Sequence, residues 1–324
     1  MGNLASRNFN PATDLVDLTG KVAIVTGGNA GIGLATVRHL ARSHAKVYLA
    51  ARSESKATAA IAALKKEFEE KGLLWGKDYG EILWQKLDLS DPRDAKKSAE
   101  EFLKKEERLD VLVNNAGMLS APYEIGKDGV STMVVVNYIS PFVFTRTLLP
   151  LLQKTAQETD SDVRVVNVTS IMYKFAPSVK FDTIDDFNAE YKWRMMGRYA
   201  HSKLLILLWT SSLQAHLTAN NSNITCIALH PGGVDTFSQR WPLPALSQHL
   251  VRLAIADPVV GAYNSVFAAA GKKVREDRET YKGAYLESQP TGRLVQLDEK
   301  VGEGKKGDLW KLTESFLEGI GCGL

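Results

Sequence analysis

Short apolar runs alternate along this chain with longer stretches in which apolar residues recur every three or four positions. The runs are rich in Val, Ile, Leu and Ala, which is typical of parallel strands buried on both faces. They lie at 22–25, 45–50, 82–87, 109–113, 163–168 and 224–229. The stretches between them have the spacing of amphipathic helices. This regular alternation predicts an α/β fold with one doubly wound parallel sheet of about seven strands and helices on both faces.

The same pattern predicts the helix ends and the number of domains. Helices are expected at 55–71, near 92–107, through 132–137 with a break at Ser140-Pro141, at 142–154, at 199–216 and, as an amphipathic C-terminal helix, at 308–320. No linker or repeat interrupts the order, so one domain is expected over residues 18–324, after a tail at 1–17. The apolar segment at about 237–257, which contains prolines, is predicted to be a lid over a substrate pocket. A surface patch that contacts a membrane or a partner is the other interpretation of this segment.

Composition narrows the choice of partners. The 324 residues are 44% hydrophobic, and 40 basic against 37 acidic side chains give a formal charge of +3, with no basic stripe that would favour nucleic acid. Two cysteines make neither a disulfide framework nor a metal cluster, so no metal site is expected. The longest apolar run near the middle, 204–209, is far below the roughly 20 residues of a membrane span. A small-molecule partner and a cytoplasmic location are therefore predicted.

The N-terminus reads MGNLAS, which has no apolar leader but fits the pattern for N-myristoylation at Gly2. One acyl chain with a single nearby positive charge gives weak and reversible membrane attachment. Peripheral membrane association is one interpretation of this segment, and a disordered ten-residue tail is the other.

A glycine-rich turn follows the first predicted strand. Gly27, Gly31 and Gly33, with Asn29 and Ile32 between them, precede a helix, and this order of strand, turn and helix can hold a dinucleotide diphosphate at a helix N-terminus. The glycines would let the backbone turn tightly and approach the phosphates. The spacing is G-x-x-x-G-x-G, which is a weak signal alone, because a glycine turn without a ligand is also consistent with it.

The end of the second strand bears on the choice between NAD and NADP. In dinucleotide-binding folds an acid there binds the ribose 2′-hydroxyl of NAD, whereas an arginine accommodates the 2′-phosphate of NADP. The chain has no acid at this point but has Arg52 and Ser53. A forked guanidinium suits a phosphate, so NADP(H) is the predicted cofactor. The alternative is that Arg52 binds no phosphate and is only a solvent-exposed residue at the start of the next helix.

A tyrosine four residues before a lysine in a helix places a phenol and an ammonium on one face. Two pairs have this spacing, Tyr123 with Lys127 and Tyr199 with Lys203. Proline and glycine around the first pair favour a loop, whereas the second pair opens a helical segment without a breaker. Ser170 follows the fifth strand and is expected at the same sheet edge. The pair at Tyr199 is therefore the candidate for acid/base chemistry.

In their order along the chain these motifs resemble the compact branch of the short-chain dehydrogenase/reductase family, and within it the retinol dehydrogenase and WW-domain oxidoreductase subgroup. The resemblance covers about residues 18–297. It is carried by 26–33, Asp88, 114–117, Asn137, Ser170, Tyr199 with Lys203, Pro231-Gly232 and Thr236.

The resemblance implies a Rossmann-type fold and a role for each matching residue. Tyr199 is implied to be the general acid/base, Lys203 to favour its phenolate and contact the nicotinamide ribose, and Ser170 to position the substrate oxygen. Asn137 is implied to hold a water chain that relays the proton. The implied cofactor-binding residues are Asp88 and Leu89 at the adenine, Asn115, Ala116 and Gly117 along the dinucleotide, and Pro231, Gly232, Val234 and Thr236 at the nicotinamide. Helices 142–154 and 199–216 carry the faces that dimerise in many relatives, so a homodimer is one expectation.

The segments outside these motifs favour a lipophilic carbonyl compound or alcohol of retinoid, steroid or terpenoid size. Besides the predicted lid, aromatic residues of the insert before Tyr199 are expected to line the pocket: Tyr173, Phe175, Phe181, Phe187, Tyr191 and Trp193. Two other functions stay open at this point. One is a biosynthetic enzyme that uses the same site for dehydration, isomerisation or cyclisation, and the other is a dinucleotide-binding regulatory protein with little turnover. The direction of reaction is open too, although an NADP preference favours reduction.

Overall fold

The computed structural model describes residues 9–119, 122–177, 179–188, 194–232, 258–297 and 301–323. Its strands are β1 (Val22–Thr26), β2 (Lys46–Ala51), β3 (Ile82–Lys86), β4 (Val111–Asn114), β5 (Arg164–Val168), β6 (Thr225–Leu229), β7 (Tyr285–Glu287) and β8 (Arg293–Val295). They form one sheet in the order β3-β2-β1-β4-β5-β6-β7-β8. All are parallel except β8, which pairs antiparallel with β7. The predicted α/β fold with a Rossmann-type sheet is confirmed, with one strand more than expected.

Helices cover both faces of this sheet. They are α1 (Gly31–Arg42), α2 (Glu54–Glu70), α3 (Pro92–Leu103), α4 (Thr132–Ala156), α5 (Arg194–Ala219), α6 (Tyr263–Ala270) and α7 (Glu303–Gly319). Successive strand residues point to opposite faces, so Ile24 joins the core under α3, α4, α5 and α7, and Val25 joins the core under α1, α2 and α6. Shorter helical turns lie at Ile171–Phe175, Ile184–Phe187, Pro258–Gly261, Lys272–Glu276 and Arg278–Tyr281.

The strand order explains where a ligand can bind. From β1 the chain moves outward to β2 and β3, then returns to place β4 on the other side of β1. The connections diverge at this point, and they leave a crevice beyond the carboxyl ends of the central strands. The strand-end residues of the described ranges that line this crevice include Gly27, Arg52, Asp88, Asn115, Ser170 and Pro231.

Helix α4 corrects one expectation about local structure. The predicted break at Ser140-Pro141 is wrong, because a single helix runs through Thr132–Ala156. The irregularity lies one turn earlier, at a π turn over Val135–Ile139, in which the Ser140 N–H donates to the Val135 carbonyl. Pro141 has no N–H to give to the carbonyl four residues before it, that of Asn137. The wider π turn absorbs this loss without ending the helix.

The two ends of the described chain both pack on the domain. The ring of Phe9 lies edge-on to Tyr263 and Phe267, with centroid distances of 5.8 and 5.6 Å, and the Val16 N–H donates to the Ala270 carbonyl. Helix α7 begins five residues before the predicted 308 and lies against α4 and α5.

Among the described helices, only α4 is long and apolar enough to cross a membrane by length and composition. Because 78% of its most apolar window is buried inside the protein, α4 has the burial of a core helix.

Candidate active site

A cleft of about 880 Å³ opens at the carboxyl ends of the central strands. Most of the site residues that the sequence predicts line this cleft. These are Gly27, Asn29, Gly31, Ile32, Gly33, Arg52, Asp88, Leu89, Asn115, Ala116, Gly117, Ser170, Tyr199, Lys203, Pro231 and Gly232. Val234, Thr236 and the proposed lid lie outside the described residues.

The glycine turn between β1 and α1 is shaped for close approach of a ligand. Gly27 and Gly31 have φ of +65° and +54°, a region that favours glycine. A Cβ on Gly33 would lie 2.4 Å from the Gly27 carbonyl oxygen, so only glycine fits there. The residue before α1 is Ala30, whose side chain cannot cap the helix. The first N–H groups of α1 therefore remain available to an anion in the cleft.

Hydrogen bonds between the ends of β1 and β4 hold this turn in place. The Thr26 hydroxyl accepts from the N–H groups of Asn115 and Ala116, at 3.0 and 2.9 Å. The Asn115 side chain returns a bond to the Thr26 carbonyl at 2.9 Å. Asn115 thus acts on the turn through its amide group as well as through its backbone.

The far end of the cleft contains the residues expected at the adenine half of a cofactor. Arg52 is exposed at the rim, and no carboxylate pairs with it in the described part of the chain. Asp88 is half-buried, and its carboxylate accepts from the Ser90 N–H at 2.9 Å. Ser53 is not among the residues that line the cleft; its hydroxyl accepts from the Lys56 N–H and caps α2.

Ser170, Tyr199 and Lys203 form the reactive group of the cleft. Ser170 follows β5, its hydroxyl accepts from the Met172 N–H, and it lies near enough to the Tyr199 phenol to lower the pKa of that group. Lys203 lies one turn after Tyr199 on α5, with its Nζ 5.5 Å from the centre of the phenol ring and 3.0 Å from the Val168 carbonyl oxygen. The arrangement therefore puts two hydroxyl groups and an ammonium at one point of the sheet edge.

Burial changes the proton affinities of this group. Desolvation raises the pKa of the Tyr199 phenol above its usual value of 10, and the neighbouring Ser170 hydroxyl offsets part of that rise. Desolvation lowers the pKa of Lys203 to about 8. At neutral pH Tyr199 thus keeps its proton and Lys203 keeps its charge.

Asn137 stands behind this group rather than in the cleft lining. Its side chain accepts from the Met118 N–H at 2.7 Å, and it donates to the Met118 carbonyl and to the Ser202 hydroxyl, both at 2.9 Å. Ser202 donates in turn to the Tyr199 carbonyl at 2.8 Å. A Cβ on Gly117 would lie 3.2 Å from Asn137 Oδ1 and 3.5 Å from Lys203 Nζ, so these two polar atoms flank the same small space.

His230 is a cleft residue that the sequence analysis missed. It follows β6, and its backbone is held by bonds to Leu286 and from Asn264, both at 2.8 Å. Its Nδ1 is buried and has no hydrogen-bond partner among the residues that the structure describes. Desolvation lowers the pKa of His230 to about 4, so the ring is neutral at pH 7. The sequence signal for His230 is its position at the end of β6, directly before Pro231-Gly232.

The other missed residues are mostly apolar. They are Ala30, Ala50, Ala51, Leu87, Ser90, Met118, Leu119, Val136, Val168, Thr169, Met172 and Met196. Most lie within three residues of a nominated position, so extending each strand-end motif by a few residues would have found them.

The expectation that insert aromatics line the pocket is wrong for those in the described ranges. Tyr173, Phe181 and Phe187 are buried in the core under α4 and α5, and Phe175 is 72% exposed to solvent. None of the four lines the cleft. Tyr191 and Trp193 lie outside the described residues. In the described segments, no three His, Cys, Asp or Glu side chains lie close enough to hold a metal ion.

Comparison with known proteins shows similarity to short-chain dehydrogenases. A family model for short chain dehydrogenases matches residues 21–180. A short-chain dehydrogenase/reductase of Armillaria gallica is 39% identical over 97% of this chain and 98% of its own length. Retinol dehydrogenase 14 of Homo sapiens is 32% identical over 91% of this chain and 85% of its own. Among solved structures, a blue fluorescent protein from a metagenomic library, in complex with NADPH, has a TM-score of 0.61 and 26% identity over 85% of this chain and 98% of its own.

Proposed function

Because the chain belongs to the short-chain dehydrogenase/reductase family and resembles its retinol dehydrogenase group, we propose that it is an NADP(H)-dependent enzyme that interconverts a hydrophobic ketone or aldehyde and its alcohol. The observation that supports this proposal is the joint position of Ser170, Tyr199 and Lys203 in the cleft that begins at the glycine turn. The family makes the chain an oxidoreductase, and the site suggests which reaction it catalyses.

The residues of the cleft fit a dinucleotide that carries an extra phosphate. The uncapped N-terminus of α1 would hold the diphosphate, and Asp88 with Leu89 would border the adenine. Arg52 at the rim would pair with a 2′-phosphate, for which the described residues offer no competing carboxylate. The related fluorescent protein was crystallised in complex with NADPH. When bound, the nicotinamide supplies or accepts the hydride.

The chain's own residues would then manage the oxygen and its proton. The Ser170 hydroxyl and the Tyr199 phenol are neighbours in the cleft, so a carbonyl oxygen placed between them would receive two hydrogen bonds. Tyr199 keeps its proton at neutral pH and would transfer it to that oxygen during reduction. The Lys203 ammonium on the same helix face stabilises the phenolate that is left. In the oxidative direction the same groups would take the proton from an alcohol.

The lining beside the reactive group is consistent with an apolar substrate. Met118, Met172 and Met196 all line the cleft, with Leu119 and Val136 beside them. Methionine side chains are flexible and adapt to apolar surfaces of different shape. We therefore propose a lipophilic substrate of retinoid, steroid or terpenoid size. The cytoplasmic location, acylation at Gly2, the lid and a homodimer stay predictions from the sequence.

A substrate panel followed by NADPH absorbance tests this function. We expect kcat/KM for bulky lipophilic ketones and aldehydes to exceed that for small polar aldehydes by at least about tenfold, since each buried methylene adds about 0.8 kcal/mol. Turnover restricted to small polar aldehydes would contradict the substrate class. An NADPH-binding protein with no turnover of any carbonyl or alcohol would contradict the proposed reaction.

Exchange of Arg52 for aspartate should reverse the cofactor preference. Arg52→Asp replaces a charge-assisted pair with repulsion, so the dissociation constant for NADPH should rise by roughly tenfold or more while that for NADH changes by about twofold or less. Lys56→Asp is the matched control, because Lys56 is an exposed cation in the first turn of the following helix, α2, and does not line the cleft. Titration of protein fluorescence with both cofactors measures the effect. Equal losses for the two cofactors would reject the phosphate role.

A further inference from the structure

The π turn in α4 is held from its inner side by Asn137. That side chain makes three hydrogen bonds of 2.7 to 2.9 Å, two with the backbone of Met118 and one with the Ser202 hydroxyl. A π turn is a rare and locally unfavourable conformation, and Pro141 removes one of the N–H donors that follow it. Its shape therefore depends on contacts from outside the helix as well as on its own backbone.

Tyr138 is the contact on the outer side. It is fully buried, and its ring lies 6.1 to 6.2 Å from those of Phe142, Phe187 and Trp209. Its hydroxyl lies 2.7 Å from Oγ1 of Thr313, a fully buried residue on α7. The same helix also reaches the insert before α5, through the edge-on contact of Phe316 with Phe187 at 6.3 Å.

The direction of the bond between Tyr138 and Thr313 can be assigned. Thr313 has one hydroxyl proton, and it donates that proton to the Leu309 carbonyl at 2.7 Å. Tyr138 must therefore be the donor and Thr313 the acceptor. Removal of the Thr313 oxygen would take away the acceptor of the buried Tyr138 hydroxyl. A buried hydroxyl without an acceptor costs free energy, so the Tyr138 side chain is expected to shift.

We propose that Thr313 is a positioning residue for the active site. Through Tyr138 it fixes the outer side of the π turn, and the turn presents the neighbouring Asn137 to Met118 and Ser202. Ser202 joins this network to the Tyr199 carbonyl at the start of α5. Helix α7 thus supports the catalytic groups, although none of its described side chains lines the cleft. The expected effect on kcat rests on the proposed function.

The variant Thr313→Val tests the proposal, with Thr155→Val as its matched control. Thr155 is buried on the same helix as the π turn, and it donates to the Leu151 carbonyl and accepts from a buried N–H, that of Leu109. Both variants should lower the free energy of unfolding. Only Thr313→Val should lower kcat, by about tenfold, with KM for NADPH within about twofold, because small misplacements of catalytic groups act on the transition state. Thr313→Ser keeps the oxygen and should restore kcat.

Amide hydrogen exchange gives a readout that needs no substrate. Thr313→Val should speed exchange in the segment 132–142, and Thr155→Val should not. Tyr138→Phe combined with Thr313→Val should be no worse in kcat than Thr313→Val alone, because the two residues act through one bond. Equal kcat for the two valine variants, equal exchange in 132–142, or no rescue by serine would overturn the proposal. If the wild-type protein turns over no substrate, the proposed function fails while the exchange comparison still decides the role of Thr313.

Discussion

Replacing Tyr199 with phenylalanine is expected to lower kcat by about 10³-fold and to leave the dissociation constant for NADPH within about twofold. The phenol lies beside Ser170 and on one helix face with Lys203, so its proton has a direct path to a carbonyl oxygen held at the same point. Phenylalanine keeps the ring and its packing and removes only the group that transfers the proton. Steady-state kinetics with a substrate from the panel, and fluorescence titration with NADPH, measure the two quantities.

Tyr123→Phe is the control for this prediction, because Tyr123 also precedes a lysine by four residues. Its hydroxyl donates to the Asn188 carbonyl at 2.8 Å in an exposed loop. The loss of that bond should leave kcat unchanged. A Tyr199→Phe enzyme with undiminished kcat would refute the acid/base role, whereas an enzyme that no longer binds NADPH would point to a structural role.

The central part of the fold and most of the site were predictable from local patterns. A strand buried on both faces is mainly apolar, so β1, β2, β4, β5 and β6 stand out as nearly continuous apolar runs. The carboxyl ends of parallel strands meet at one edge, so the residues that follow each run must lie near one another. The order of the motifs along the chain therefore suffices to predict that Asn115, Ser170 and Tyr199 lie in one cleft.

Features that depend on distant partners were not predictable in this way. The aromatic residues of the insert looked suited to a pocket, but Tyr173 pairs with Tyr285 of β7 and Phe187 with Phe316 of α7, and these partners are over 100 residues away. Pro141 predicts a helix end, because a proline inside a regular α-helix removes a backbone hydrogen bond. The π turn that accommodates this proline is not evident from the local sequence. The neutral state of His230 likewise follows from burial, which its neighbours in sequence do not reveal.

Addition of a single methyl group at Gly33 should abolish cofactor binding. In Gly33→Ala the new Cβ would lie 2.4 Å from the Gly27 carbonyl oxygen and 2.5 Å from Asn115 Nδ2, far inside contact distance. Neither atom can yield easily, because Gly27 has a positive φ and the Asn115 amide is bonded to the Thr26 carbonyl. The turn must therefore open, and the N–H groups of α1 lose their alignment. We expect the dissociation constant for NADPH to rise by about 100-fold or more and the free energy of unfolding to fall by about 1–3 kcal/mol.

Gly307→Ala separates this steric effect from the general effect of replacing a helical glycine. Gly307 lies within α7, is exposed, and has open space where a Cβ would stand. Alanine there should raise the free energy of unfolding by about 0.5–1 kcal/mol and leave NADPH binding unchanged, because alanine loses less conformational freedom in a helix. If Gly33→Ala bound NADPH as tightly as Gly307→Ala does, the turn between β1 and α1 would not be the diphosphate site. The cofactor would then have to bind elsewhere along the cleft, and the proposed role of Arg52 would lose its basis as well.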